Sequence, residues 1–141
     1  MSGDAVRELA TLRDVSLADL RARLGKADVQ PDVRYGQMDG LEMLHAPGAH
    51  PAIFFFRDGQ LAVAHLPDPD LAPAAVAELV GDDPPRLRSR AGKHAWALVR
   101  AEEGVAVTED DGRIRFVEVF PPTTFEDYRD RIYAPPPHFV E

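Results

Sequence analysis

The sequence predicts an α+β domain: a single antiparallel sheet of six to eight strands with helices packed on one face, built from two tandem repeats. Three observations carry that expectation. Asp110-Asp111-Gly112 stands between residues 104–108 and 113–120, two runs rich in β-branched and apolar side chains, and Asp-Gly in that setting marks a tight hairpin. The same pattern occurs earlier, where Arg57-Asp58-Gly59 separates residues 52–56 from 61–66. Around the hairpins lie short apolar segments that open on a capping residue and close on glycine, which are helix signals.

Each element follows in order. Residues 5–12 can form a short helix presenting Val6, Leu9 and Leu12. Ser16 and Asp19 have capping-box spacing, with Val15 and Leu20 at the hydrophobic-staple positions, so a helix starts at Leu17 and stops at Gly25. Short strands at 33–35 and 41–45 flank the turn residues 36–40, and the Pro and Gly content of residues 45–51 predicts a loop. Three consecutive phenylalanines, Phe54 to Phe56, cannot share one side of a strand. Either both faces of the sheet are covered there or one ring lies on the surface.

Asp70 is placed to cap a helix over about 71–80, with Pro73 in its first turn and Gly81 at its end. Arg86, Arg88 and Arg90 alternate as on an exposed edge strand, where charge discourages pairing with another chain. Residues 95–100 form a strand carrying Trp96. Thr123 and Glu126 form a second capping box for a helix with Phe125, Tyr128 and Ile132 on one face, and three prolines from Pro135 end it.

At 141 residues, 45% hydrophobic and 28% charged, the chain fits one globular domain, 1–141. A net charge of −8 works against nucleic acid and anionic membranes and favours a basic protein or a small cationic ligand. With no cysteine there is no disulfide framework, thiolate nucleophile or Cys-ligated metal. The first residues lack the cationic start and apolar core of a signal peptide, and no apolar run reaches membrane-spanning length, which predicts a cytoplasmic protein. Phosphate-loop, dinucleotide, nucleophile-elbow and zinc-protease motifs are missing and no cofactor is expected, although the absence of a motif is not the absence of activity.

Setting Gly59 on Gly112 also places Leu61 on Ile114, Val63 on Phe116, Leu66 on Val119 and Asp70 on Thr123. The implied repeats run over roughly 16–80 and 71–133 and share the middle helix. Two tandem units of helix, glycine stop and glycine-turned hairpin resemble the beta-lactamase inhibitor protein and the small lipoproteins of the outer-membrane assembly machine. That resemblance implies a non-enzymatic protein-binding domain of inhibitor, immunity or accessory type, acting through a sheet face and its hairpin turns. A secretion signal, a lipidation cysteine and disulfides are missing from this chain, and no binding residue carries over.

Several residues are candidates for chemistry. His65 and Glu118 are counterparts in the repeat alignment, and counting by two along each strand puts both on an apolar face. If the hairpins meet at the symmetry axis, the two side chains form a buried acid/base couple in a cleft; if not, each reaches water at a strand end. His45, His50 and His65 with Glu42 have the ligand types for zinc, but Pro47-Gly48 breaks any helical metal-pair spacing, and no metal site is expected. Tyr35, Phe54, Phe56, Trp96, Tyr128 and Tyr133 could line a groove for a partner or a small hydrophobic ligand. Most aromatics at such spacings are core, which leaves Phe54 or Phe56 and Trp96 as surface binding candidates. Arg86, Arg88 and Arg90 could grip an acidic group or support a homodimer. Two functions therefore remain open: a protein-binding domain, and a small enzyme or small-ligand-binding protein with a cleft near His65 and Glu118.

Overall fold

The computed structural model describes residues 4–25, 28–46 and 51–136, and among these the hairpin and cap signals resolve into eight strands and five helical segments, one of them a 3-10 turn at Ala101–Glu103. Helices α1 (Asp4–Ala10) and α2 (Leu17–Arg23) come first, followed by β1 (Val29–Tyr35), β2 (Met38–Ala46), β3 (Ala52–Arg57) and β4 (Gln60–Pro67). Helix α3 (Pro73–Val80) leads to β5 (Arg86–Arg88), β6 (Ala95–Arg100), β7 (Val105–Asp110) and β8 (Arg113–Val119). The chain then makes a single turn of α4 (Phe125–Asp127) that widens into a π-helical turn over Tyr128–Ile132. No helix among the described residues is long and apolar enough to cross a membrane.

The class is α+β and the sheet is one antiparallel layer in the order β1-β2-β3-β4-β8-β7-β6-β5. It reads as two four-stranded meanders joined along their last strands, with β4 antiparallel to β8. Both hairpin turns put Asp and Gly at positive φ, 52° and 80° at Asp58-Gly59 and 53° and 84° at Asp111-Gly112, as a two-residue turn matching strand twist requires. Each hairpin also carries a bulge. Phe56 faces Leu61 while Phe55 faces Val63, so Ala62 is the extra residue; Glu109 faces Ile114 while Thr108 faces Phe116, so Arg115 is the extra residue. Each extra residue lies three positions after its turn glycine.

The bulges correct the simple count by two. Leu61 and Ile114 pack on one face, whereas Val63 belongs to the other, the face that carries His65 and Glu118. On the first face Val6, Leu9, Leu20, Val76 and Val80 from α1 to α3 pack against Phe54, Phe56, Val107 and Val117. On the second face Phe55, Val63, Val99 and Ala106 meet Phe120, Tyr128 and Ile132. Both faces are therefore covered at the triple phenylalanine. The helices do not all lie on one face: three do, and the segment after β8 crosses to the opposite one.

Local signals explain the element ends. Ser16 Oγ accepts the Asp19 amide at 3.1 Å and starts α2, while Leu24 and Gly25 return their amides to the last turn. Asp70 does not cap α3; the helix begins at Pro73 after Ala72, because proline at the first helical position has no amide to satisfy. The cap of α4 is Thr124, whose Oγ1 accepts the Asp127 amide at 3.1 Å. Thr123 is engaged elsewhere, donating its hydroxyl to Asp127 Oδ2 at 2.6 Å and its amide to Ala101 O at 2.9 Å.

Candidate functional site

The seam between β4 and β8 sets His65 opposite Glu118 as direct cross-strand partners. The turn glycines are 53 residues apart (112 − 59), and so are His65 and Glu118 (118 − 65), so this pair lies at the centre of the two meanders. Both side chains project from the second face, because each lies two residues beyond a position that the bulge has reset. The two carboxyl oxygens of Glu118 are claimed by two tyrosines. Tyr128 OH donates to Oε1 at 2.5 Å and Tyr35 OH donates to Oε2 at 2.5 Å, while the Tyr35 oxygen lies 3.0 Å from His65 Nδ1.

Tyr35 comes from the far edge of the sheet. In the order β1-β2-β3-β4-β8 its strand is four spacings from that of Glu118, about 19 Å in a flat sheet at 4.8 Å per step. That exceeds what a tyrosine and a glutamate can span, so the sheet coils strongly around its second face. Phe55 supports the Tyr35 ring, with centroids 4.6 Å apart, and Phe116 supports the His65 ring, also at 4.6 Å.

Burial sets the protonation states. Glu118 is 3% exposed, and loss of water raises its pKa from 4.5 to about 7 although the two tyrosine hydrogen bonds pull it down. Burial lowers His65 from 6.5 to about 4, against a smaller upward pull from Asp68. Tyr35 and Tyr128 are pushed up by burial and by the Glu118 charge. Burial thus favours the uncharged imidazole and raises the titration of the carboxyl toward neutral pH.

The hydrogen-bond chain has two proton arrangements. With Glu118 ionised, Tyr35 donates to it and accepts from His65 Nδ1–H, leaving Nε2 as an acceptor. A proton received at Nε2 can move on: Nδ1–H passes to the Tyr35 oxygen, the Tyr35 proton passes to Glu118, and His65 ends neutral with Nε2 protonated. The hydrogen-bond chain therefore connects His65 Nε2 to Glu118 through Tyr35.

A cavity of about 220 Å³ opens beside this network. Its floor includes Ala97, Thr108 and Phe116, its roof is Tyr128, Ile132 and Tyr133, and Ser89, Arg90 and Ala91 form one rim. No protein-family model, curated protein or solved structure matches the chain. The roof is clamped from the β1–β2 turn. The Gln37 amide donates to Arg131 O at 2.8 Å, and its side-chain Nε2 donates to Arg129 O at 2.7 Å and Tyr133 O at 2.8 Å. On the other side Tyr133 OH donates to Arg88 O.

Of the residues singled out from sequence, His65 and Glu118 come together and Arg90 joins them at the cavity. Phe54 and Phe56 do not offer a binding surface: at 2% and 0% exposure they are core residues beneath the helices. Trp96 is half-buried, with the Arg86 and Arg88 guanidinium carbons 5.8 and 5.1 Å from its ring centroid. These three form a separate cluster at the β5 edge. His45 is exposed, His50 lies outside the described residues, and no group of three His, Cys, Asp or Glu side chains among the described residues is placed for a metal ion. Tyr35, Tyr128 and Tyr133, named among the aromatics that could line a groove, do line this cavity; what sequence reasoning missed is that Tyr35 and Tyr128 donate to Glu118. A carboxyl on an apolar face needs donors, and tyrosine is the residue that carries a hydroxyl into a core.

Proposed function

We propose that this chain binds a small, largely apolar molecule in the cavity at the β4–β8 seam and exchanges a proton with it through His65, Tyr35 and Glu118. The observation that carries the proposal is one buried carboxyl, poised at about 7, joined through a tyrosine to a neutral imidazole in the wall of a cavity. Titratable groups pushed to opposite sides of their ordinary values are how a fold separates a proton donor from an acceptor. The walls are mainly aromatic and aliphatic, and the size suits a molecule smaller than a typical drug.

Screening small fragments by chemical-shift perturbation tests this. Hits are expected to shift the amides of Tyr35, His65 and Phe116 and to change affinity about tenfold between roughly pH 6 and pH 8, around the Glu118 value of about 7. Glu118→Gln should remove the pH dependence. A library that perturbs no cavity resonance, or affinities flat with pH in the native protein, would sink the proposal.

A second reading is the protein-binding role that the resemblance implies. It is favoured by Trp96 held beneath Arg86 and Arg88 at an edge strand of three residues. Such a partner docks at that edge, since helices cover one sheet face and the C-terminal segment roofs the other. If Trp96→Ala leaves every partner captured from the native cell extract in place, this second reading fails.

A further inference from the structure

We infer that the cavity takes a planar aromatic carboxylate, bound with its ring against Phe116 and Tyr128 and its carboxylate turned outward to Arg90. The inference rests on the proposed function and names the ligand class of the same site; the group that exchanges a proton is a ring substituent at the inner end, opposite the carboxylate. The cavity is polarised along its depth. Glu118 and its tyrosines are satisfied by one another at the inner end, and Arg90 is exposed at the rim without a salt bridge among the described residues. An anionic ligand is repelled from the inner carboxylate and drawn to the rim, so its apolar part must fill the interior.

The interior suits a flat ring. Tyr35, His65, Phe116, Tyr128 and Tyr133 contribute five rings to the lining, and aromatic groups pack there in offset or edge-on geometry. The rim is held in place. Ser89 is 7% exposed and its Oγ accepts the Ala91 amide at 3.1 Å, its own amide donates to Ala95 O at 3.0 Å, and Arg88 Nη2 donates to Lys93 O at 2.8 Å. Arg90 is therefore presented by a fixed turn. Asp110 is the carboxylate packed under that turn, against Gly92.

The charge pattern of the chain agrees. Residues 84–101 contain five cations, Arg86, Arg88, Arg90, Lys93 and Arg100, and no acid, in a protein of net charge −8. Arg100 pairs with Glu102 and Glu103, and Arg86 and Arg88 stack on Trp96, so Arg90 is the cation of this stretch that lines the cavity. A guanidinium facing a carboxylate also supplies a charge-assisted pair of hydrogen bonds that a neutral isostere cannot match.

Benzoate and its neutral isostere benzamide test the inference, titrated into the native protein, Arg90→Ala and Arg86→Ala, with cavity chemical shifts as the readout. Benzoate is expected to bind the native protein and Arg86→Ala about tenfold more tightly than benzamide does. Arg90→Ala should erase that preference while still binding both compounds. Equal binding of the two compounds to the native protein, or a preference that survives in Arg90→Ala, overturns the carboxylate assignment and leaves the cavity proposal standing. If neither compound perturbs the cavity, the aromatic-carboxylate inference fails, while the cavity proposal stands or falls on the fragment library.

Discussion

Replacing Gly36 with Ala is expected to lower stability by about 3–5 kcal/mol and to detach the segment that roofs the cavity. Gly36 has φ 58°, and a Cβ there would lie 2.1 Å from Ile132 O, 2.7 Å from Ile132 C and 2.9 Å from Arg131 O. All three atoms are backbone and cannot rotate away. The β1–β2 turn and the π-helical turn must therefore separate, breaking the Gln37 bonds to Arg129, Arg131 and Tyr133. Gly40→Ala is the matched control, since Gly40 has φ 67° and a Cβ there would meet no atom of the described residues within 4 Å. It should cost only the left-handed backbone penalty, about 1–2 kcal/mol. Urea denaturation of both variants, with hydrogen exchange at the Gln37 amide, measures the difference. Equal destabilisation would show that the close approach at Ile132 is not what makes this position glycine.

His65→Gln is expected to expose a pH dependence that the native pair hides. Glu118 is raised from 4.5 to about 7 in the folded state, so its contribution is fully present below pH 4.5 and is lost as pH rises to about 7. His65 is lowered from 6.5 to about 4, so its contribution is present above pH 6.5 and is lost as pH falls to about 4. Between 4.5 and 6.5 the folded state holds a proton on Glu118 that the unfolded state has released, and the unfolded state holds one on His65 that the folded state lacks. The two slopes cancel. Without His65, stability relative to the native protein should rise on acidification by up to about 3 kcal/mol, near 1.4 kcal/mol per pH unit. Glu118→Gln should give the opposite slope. Urea midpoints across this range, each taken against the native protein at the same pH, remove the titration of the other acids; a difference that stays flat with pH for either variant excludes the coupling.

What could be read from sequence was what is decided locally. The Asp-Gly turns, the Ser16 cap, the glycine stops at 25 and 81 and the Arg-marked edge each depend on a few neighbouring residues. Aligning two such local patterns made His65 and Glu118 counterparts and left open whether they meet; the pairing of β4 with β8 is what sets them face to face. What was hidden depends on long-range shape. The bulges at Ala62 and Arg115 change which side chains share a face, and sheet coiling brings Tyr35 across four strands. The segment after β8 crosses to the second face because its apolar residues, Tyr128 and Ile132, are needed to close a core that α1 to α3 do not reach. Phe54 and Phe56 were legible as apolar but not as covered, since the helices above them lie elsewhere in the chain.

The β4–β8 seam also bears on how the chain reaches this structure. Every other strand pairing in the sheet joins neighbours in sequence, whereas the seam joins partners such as Ala64 and Val119. Each meander can assemble from nearby contacts, and closing the seam carries most of the entropy of bringing distant residues together. A slip of one residue at that step would turn Glu118 into the apolar core beneath α1 to α3, where neither tyrosine can reach it. The carboxyl thus acts as a key: it fits one alignment of the two halves and penalises the adjacent ones, so the group best placed for proton exchange also selects the correct join.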